Sequence, residues 1–376
     1  MQEGIPRPVL LAAGGTGGHL FPAESLAAAL VRRGVGVQLA TDTRATRYGE
    51  AFPASAVHVI PSATVRGRDP LSLARTAGLL GYGTWAAWRV LARLRPAIVV
   101  GFGGYPTVPP VLAATLRAIP TLIHEQNGVM GRANRLLAPR VTAIATGFPG
   151  VVDKAPRLST KATHTGNPVR PAVVAAAQTS YPPLHPDGPV RLLVFGGSQG
   201  ARVMSEVVPL AVERLPPALR QHLHITQQAR AEDLAAVQGI YGRLQVAADV
   251  APFFADLPTR MAASHLIVSR SGASTVAELA AIGRPAILVP LPHALDQDQL
   301  ANANALERAG GAIRLHQSEF TPERLAAEIS GFASAPRRLA AMANAAKSMG
   351  TVDAAERLAD LVLRVAKLTG NDTGPT

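Results

Sequence analysis

The chain repeats one local pattern, a short apolar stretch that runs directly into a glycine-rich turn. The apolar stretches at residues 9–13, 98–100 and 192–195 precede glycine-rich turns at residues 14–18, 101–104 and 196–200. A fourth stretch, residues 266–269, is followed by Arg270, Ser271 and Gly272. Alanine- and leucine-rich segments of helical character follow the turns. This alternation of strand and helix predicts an α/β fold with parallel sheets.

The first and third turns open similar units about 180 residues apart, and 376 residues fit two domains of ordinary size. We therefore predict two Rossmann-like domains, residues 1–165 and 166–370, followed by a polar tail, residues 371–376. The boundary is expected near Gly166, Asn167 and Pro168.

Basic residues are concentrated in the first predicted domain. The net charge is +12, and residues 1–165 hold 18 Lys and Arg against 7 Asp and Glu. Such a surface suits anionic lipid, nucleic acid or phosphorylated substrates, although a solvated basic surface is the alternative. The absence of cysteine excludes disulfides and thiol nucleophiles, and it fits a reducing compartment.

No targeting or membrane-spanning segment is expected. The first apolar stretch runs into the glycine turn, as a strand would, and shows no secretory cleavage pattern. Uninterrupted apolar runs do not reach the roughly 18 residues that a spanning helix needs.

The glycine-rich turns are candidate phosphate sites, because they bring backbone N–H groups and a helix N-terminus towards an anion. Close packing is the alternative explanation for residues 101–104. The first turn has Leu20 where a dinucleotide-binding turn needs its third glycine, but Asp42 could hold a ribose, so a nicotinamide-dependent oxidoreductase stays open. No turn ends in the Gly-Lys-Ser/Thr of a P-loop.

The second predicted domain collects groups that suit a uridine nucleotide. Glu278, on the helix after the fourth turn, could accept from both ribose hydroxyls. We do not interpret Asp296 and Asp298 as metal ligands, because they lie in a polar loop after two prolines. The other candidate groups are Ser198, Gln199, Arg270 and the helix start at residues 272–275.

Sequence motifs that occur in the same order along nearly the whole chain resemble those of the MurG family of N-acetylglucosaminyltransferases. The resemblance implies a GT-B fold in which two Rossmann-like domains face a central cleft, with inversion at the anomeric carbon and no metal or cofactor. The motifs are Gly14-Gly15-Thr16-Gly17-Gly18-His19 with Phe21-Pro22, Gly103-Gly104-Tyr105, His124-Glu125-Gln126-Asn127, Gly166-Asn167-Pro168-Val169-Arg170, Gly196-Gly197-Ser198-Gln199-Gly200-Ala201, Arg270-Ser271-Gly272-Ala273 and Glu278.

The resemblance implies a hexosyltransferase that moves N-acetylglucosamine from UDP-GlcNAc to the C4 hydroxyl of MurNAc in undecaprenyl-pyrophosphoryl-MurNAc-pentapeptide. The product would be lipid II for peptidoglycan synthesis, and hence for cell-wall biogenesis, cell shape and cell division. The expected location is the cytoplasmic side of the bacterial inner membrane, as a peripheral protein without a nucleic-acid partner.

The resemblance also implies the binding residues. The acceptor residues would be Gly103, Gly104, Tyr105 and Asn134. The donor residues would be Thr16, Gly17, Gly18, Asn127, Arg170, Ser198, the backbone of Phe254, Arg270, Ala273, Ser274, Thr275, Val276, Ala277, Glu278 and Gln299.

His19 is the candidate general base, because the ordinary pKa of imidazole lies near neutrality and the residue opens a helix beside a phosphate-type turn. A histidine at this position can also cap the helix or bind substrate. Glu125, which resembles a family residue important for activity, is the alternative base or an orienting partner.

Residues 71–96 contain both tryptophans of the chain between flanking arginines. Apolar-aromatic surface bordered by arginine suits an anionic membrane interface, whereas a core-packed helix pair is the alternative. A non-catalytic nucleotide-binding module docked on membranes also stays open. The predicted membrane residues are Leu79, Leu80, Tyr82, Trp85, Trp88 and Arg89.

Overall fold

The computed structural model describes residues 7–14, 17–42, 52–63, 69–185, 188–197, 200–292, 294 and 296–368. The chain forms two compact units: Met1–Arg170 together with Asp353–Thr376, and Pro171–Val352. Of the predicted site residues, Thr16 and Ser198 lie outside the described residues, as do Gln199 and the predicted tail, residues 371–376.

Each unit is built on one parallel sheet. The first seven strands are β1 (Val9–Ala12), β2 (Val37–Thr41), β3 (Val57–Val59), β4 (Ile98–Gly101), β5 (Thr121–Glu125), β6 (Ala143–Thr146) and β7 (Ala162–His164). The second unit has β8 (Val190–Phe195), β9 (Leu223–Gln228), β10 (Ala247–Ala251), β11 (Leu266–Ser269), β12 (Ala286–Leu288) and β13 (Ala312–Arg314). The strand orders are β3-β2-β1-β4-β5-β6-β7 and β10-β9-β8-β11-β12-β13.

Helices connect the strands of both sheets. They are α1 (Gly17–Arg32), α2 (Pro70–Leu94), α3 (Val108–Leu116), α4 (Arg132–Leu137), α5 (Pro156–Ser159), α6 (Pro171–Ala176), α7 (Arg202–Glu213), α8 (Pro217–Gln221), α9 (Leu234–Arg243), α10 (Leu257–Ala263), α11 (Ala273–Ile282), α12 (Asp298–Arg308), α13 (Pro322–Ala333), α14 (Pro336–Ser348) and α15 (Ala354–Leu368). The predicted α/β class with two parallel-sheet domains is confirmed.

Strands β1 and β4 at the centre of the first sheet are apolar along their whole length because both faces of the sheet are covered. All four residues of β1 are buried, and Leu11 lies in register with Leu39 of β2 and Val100 of β4. The strand order reverses between β1 and β4, and again between β8 and β11. Doubly wound sheets bind ligands at the carboxyl ends of the strands beside such a reversal.

The C-terminal helix α15 lies in the first unit, whereas the predicted boundaries assigned residues 166–370 to the second domain. Leu358 and Val362 of α15 are buried in the same core as Leu26 and Leu30 of α1. Arg33 also donates to Asp360 at 2.6 Å. Because α15 completes the hydrophobic core of the first unit, residues from Asp353 onward belong to that unit.

The first of the two segments that make up the first unit ends at Arg170 rather than at residue 165, and the residues that follow are bound to the rest of the second unit. Arg284 is 1% exposed, and its guanidinium donates to the carbonyl oxygens of Thr179 and Ser180 at 3.2 and 3.0 Å. It also donates to the carbonyl of Ala262. These bonds satisfy a buried cation with backbone acceptors and fix the segment after α6 to the second unit.

Candidate active site

His19 lies against a glycine turn at the strand reversal of the first sheet. The turn follows β4, and Gly103 and Gly104 have φ angles of +81° and +71°, in the left-handed region. A Cβ atom on Gly104 would lie 3.3 Å from His19 Nε2, and one on Gly103 would lie 3.5 Å from its Cε1. Glycine at both positions therefore satisfies the backbone and leaves space for the imidazole ring.

Thr107 holds this turn to the end of β1. Its hydroxyl Oγ1 donates to Gly103 O at 2.6 Å, with Ala12 O 3.1 Å away. Tyr105 is half-buried at the start of the short 3₁₀ turn Tyr105–Thr107. The predicted acceptor residues 103–105 are thus fixed beside the first turn of α1, which contains Gly17 and Gly18.

Glu125 is a buried carboxylate at the end of β5, and both of its oxygens accept hydrogen bonds. Oε1 accepts from the backbone N and the Nδ2 of Asn127, at 3.0 and 3.2 Å. Oε2 accepts from Gly131 N at 2.9 Å and from Asn134 Nδ2 at 2.8 Å. The carboxylate therefore accepts from four donors and holds the loop between β5 and α4 in place, and none of these four donors belongs to His19.

Gln126 and His124, which have no predicted role from the sequence, connect His19 to the protein interior. His19 Nδ1 lies 3.4 Å from Gln126 Oε1, and Gln126 Nε2 lies 3.2 Å from His124 Nδ1. His124 Nε2 in turn lies 3.1 Å from Gly166 O. Full burial lowers the pKa of His124 to about 4, so its imidazole is neutral at physiological pH.

Arg170 associates with α1 of the first unit. Its guanidinium carbon lies 4.8 Å from the centroid of the Phe21 ring. Burial raises the pKa of Glu24, one turn further along α1, and the positive charge of Arg170 opposes that shift. Arg170 therefore supplies positive charge beside Phe21 and Glu24, in the second turn of α1.

The strand reversal of the second sheet has its own glycine turn. A Cβ atom on Gly196 would lie 2.1 Å from the backbone N of Ala201, so only glycine fits. Gly196 N donates to Gln228 Oε1 at 3.1 Å, while Gln228 Nε2 donates to Pro252 O at 3.2 Å. Gln228 thereby connects the turn after β8 to the loop after β10, where Phe254 is buried.

The turn after β11 is fastened to neighbouring loops by its own residues. The guanidinium of Arg270 donates to Val289 O and Pro290 O, both at 3.1 Å, and to Gln317 Oε1 at 2.7 Å. Ser271 Oγ donates to Gln299 O at 2.8 Å. Ser271 thus connects Gln299 to the turn that carries Arg270, and both Gln299 and Arg270 are predicted to bind the sugar donor. The contacts of Arg270 give it a loop-holding function that the sequence did not reveal.

Helix α11 starts immediately after this turn and carries six of the residues that are predicted to bind the sugar donor. Gly272 precedes Ala273 and has no side chain that could cap the helix, so the first N–H groups depend on other acceptors. Glu278 is buried one turn further along α11. The six predicted residues from Ala273 to Glu278 therefore occupy the first two turns of the helix that begins at the strand reversal.

The predicted membrane segment is the long helix α2. Asp69 caps it by accepting from Ser72 N at 2.9 Å, and Ala87 and Leu91 face the core. Among the large apolar side chains, Tyr82 and Trp85 are 56% and 53% exposed. Leu79 and Trp88 are also exposed, whereas Leu80 is partly buried.

Two arginines lie over the exposed indoles. The guanidinium carbon of Arg89 lies 5.0 Å from the Trp85 ring centroid, and that of Arg117 lies 4.7 Å from the Trp88 centroid. Arg117 and the neighbouring exposed Leu116, at the end of α3, were missed because they are 28 or more positions from Trp88 in the chain. Within the described residues, no helix has the length and hydropathy needed to cross a membrane.

Comparisons with known proteins agree with this geometry. Models of the glycosyltransferase family 28 N-terminal and C-terminal domains match residues 9–146 and 191–358. The chain is 63% identical, over 96% of its length and 98% of the relative, to a UDP-N-acetylglucosamine–N-acetylmuramyl-(pentapeptide) pyrophosphoryl-undecaprenol N-acetylglucosamine transferase of Rhodopseudomonas palustris. It is 61% identical to the enzyme of the same name from Nitrobacter hamburgensis, over 96% and 97% of the two chains.

A solved structure of the same type is also similar. The crystal structure of Acinetobacter baumannii MurG superposes with a TM-score of 0.78 at 31% identity, covering 96% of this chain and all of that one. The two doubly wound units thus have a GT-B-like fold, and the family models identify the chain as a glycosyltransferase. The chain belongs to glycosyltransferase family 28, and both of these curated relatives are named as N-acetylglucosamine transferases. This membership excludes the oxidoreductase and the non-catalytic module.

Proposed function

We propose that the enzyme transfers N-acetylglucosamine from UDP-GlcNAc to the C4 hydroxyl of MurNAc in undecaprenyl-pyrophosphoryl-MurNAc-pentapeptide, giving lipid II for peptidoglycan synthesis. This proposal is supported by the names of two relatives, which are 61% and 63% identical to the chain over 96% of its length. The two strand reversals offer one site for each substrate. The donor would bind at the second sheet and the acceptor beside His19 at the first.

At the donor site, backbone N–H groups would offset the charge of the UDP diphosphate. Helix α7 starts after the turn at Gly200, and α11 starts after Gly272. Helix N-termini bind phosphate through these N–H groups and the helix dipole. This arrangement supports our proposal of a metal-independent transfer, in which Arg170 supplies further positive charge and Glu278 accepts from the uridine ribose.

At the acceptor site, His19 would act as general base. The imidazole takes the proton of the C4 hydroxyl while the oxygen attacks the anomeric carbon of the donor. The bond from that carbon to the diphosphate oxygen breaks on the opposite face, and UDP leaves with the electron pair. One displacement of this kind inverts the anomeric configuration.

The transfer itself is tested by supplying UDP-GlcNAc with and without the lipid-linked MurNAc-pentapeptide. We expect UDP release only when the acceptor is present, together with a β-linked disaccharide on the lipid, both measured by mass spectrometry and NMR. Rapid hydrolysis of UDP-GlcNAc without acceptor would contradict the assignment. A product that retains the donor's α configuration would contradict inversion.

Glu278→Ala should weaken UDP binding by about 1–3 kcal/mol, because ribose hydroxyls would lose a buried charged acceptor. Isothermal titration calorimetry measures the change as a dissociation constant raised roughly 5- to 150-fold. Glu323→Ala, at an exposed position on α13, is the matched control and should bind UDP normally. Equal affinity of the Glu278→Ala variant and the wild type would remove this residue from the donor site.

His19→Ala should lower kcat by about 10²–10⁴ while the dissociation constant for UDP-GlcNAc stays nearly constant, because a general base acts on the acceptor hydroxyl in the transition state. Steady-state kinetics and donor titration check the two quantities separately. If the substitution instead lowers only the melting temperature or the acceptor affinity, the imidazole has a capping or binding role.

We also propose that the first unit binds the cytoplasmic side of the inner membrane as a peripheral protein. The exposed face of α2 and the end of α3 support this location, because Trp85 and Trp88 lie there beneath Arg89 and Arg117. Indole rings with adjacent guanidinium groups suit the boundary between acyl chains and anionic headgroups. A lipid-linked acceptor also requires the active site to be near a membrane.

The combined variant Trp85→Ser, Trp88→Ser, Arg89→Glu should reduce binding to anionic vesicles by at least about tenfold, because it removes apolar contact and reverses a charge. Vesicle co-sedimentation measures the effect, and added salt should weaken wild-type binding. Val57→Ser with Val59→Ser, exposed apolar positions on β3, is the control. Undiminished vesicle binding by the combined variant would place the membrane surface elsewhere.

A further inference from the structure

The hydrogen-bond chain behind His19 can be assigned donor by donor from its fixed end. That end is the carbonyl of Gly166, which can only accept. Gly166 N donates to Thr146 O at 3.2 Å, and Thr165 Oγ1 donates to Gly166 O at 3.1 Å, so this carbonyl is held in place. His124 Nε2, 3.1 Å from the same oxygen, must therefore carry a proton.

The other nitrogen of His124 is then an acceptor. His124 is 0% exposed, and the low pKa that follows from burial keeps the ring neutral. A neutral imidazole has one N–H, which the bond to Gly166 O uses. His124 Nδ1 consequently presents a lone pair towards Gln126.

The orientation of the Gln126 side-chain amide follows from two hydrogen-bond acceptors of His124 that lie on the same side of it. Its Nε2 lies 3.2 Å from His124 Nδ1 and 3.1 Å from His124 O. A flipped amide would set its oxygen against both lone pairs, so the NH₂ group must face His124. The amide oxygen Oε1 then faces His19 Nδ1 at 3.4 Å.

We infer that Gln126, oriented by His124, is a positioning residue that fixes the tautomer of His19, with the proton on Nδ1 and the lone pair on Nε2. An amide oxygen can only accept, so Nδ1 must donate to it. Nε2 is the ring nitrogen nearer the turn at Gly104, where a Cβ atom would lie 3.3 Å away. The catalytic meaning of this tautomer rests on the proposed function.

This arrangement places the basic lone pair of His19 on one defined atom, Nε2. In the proposed transfer, Nε2 takes the proton of the acceptor hydroxyl, and Nδ1–H keeps its bond to Gln126. That bond becomes charge-assisted in the imidazolium that forms, which strengthens it in the transition state. Because an amide is neutral, it fixes the tautomer without placing a negative charge beside the imidazole before the reaction.

The tautomer can be read directly by long-range ¹H–¹⁵N NMR of the full chain labelled at histidine, with His19 identified by the signals missing from His19→Gln. We expect wild-type His19 to have protonated Nδ1 and unprotonated Nε2. Gln126→Met, which keeps the side-chain length but removes the acceptor, should lose that preference. Gln38→Met, which breaks the 2.7 Å contact of Gln38 with His58 on the edge of the sheet, should leave the His19 signals unchanged.

Kinetics separate positioning from structural support. Gln126→Met should lower kcat by about 10- to 100-fold, part of what a general base contributes, with little change in either KM. A wild-type His19 protonated on Nε2 overturns the inference without any variant. A Gln126→Met enzyme that keeps the Nδ1–H tautomer overturns it as well.

The two proposals fail in different ways. If wild-type His19 shows the Nδ1–H tautomer but no sugar is transferred to the lipid-linked acceptor, the proposed function fails and the assignment of Gln126 stands. If sugar is transferred while His19 carries its proton on Nε2, the function stands and the assignment of Gln126 fails.

Discussion

The reversal of strand order beside the first strand of each sheet is the constraint on which the rest of this structure depends. Between β1 and β4, and between β8 and β11, the chain departs in opposite directions and leaves a crevice at the carboxyl edge. Loops that enter such a crevice approach neighbouring backbone closely. Gly196, where a Cβ atom would lie 2.1 Å from the backbone N of Ala201, and the left-handed Gly103 and Gly104 meet that requirement.

The two crevices contain different kinds of polar groups. The first contains buried polar side chains, Glu125 and His124 among them, whose hydrogen bonds are made inside the protein. Buried networks of this kind are rigid because leaving any member unpaired costs free energy. The second contains helix N-termini and a guanidinium, Arg270, that fastens loops. A histidine imidazole suits proton transfer, and the N-terminus of a helix suits an anion.

Three exposed aromatic side chains, Tyr82, Trp85 and Trp88, lie on a different part of the first unit. Ala87 and Leu91 of α2 pack in the core, while Tyr82 and Trp85 on the same helix face outward. Large exposed apolar patches carry a solubility cost that usually signals a binding surface. Arginines stacked on the indoles reduce that cost in water and would meet anionic headgroups at a membrane.

The sequence by itself determined the α/β class, the parallel sheets, the two units and the glycine turns that precede the helices of His19 and Glu278, because these follow from local periodicity and turn chemistry. Tertiary structure decided which distant residues meet. The return of α15 to the first core, the bonds from Arg270 to Gln317 and the connection from His19 to Gly166 join positions far apart in the chain. Such contacts depend on how helices and loops pack around the finished sheet, and no short-range pattern encodes them.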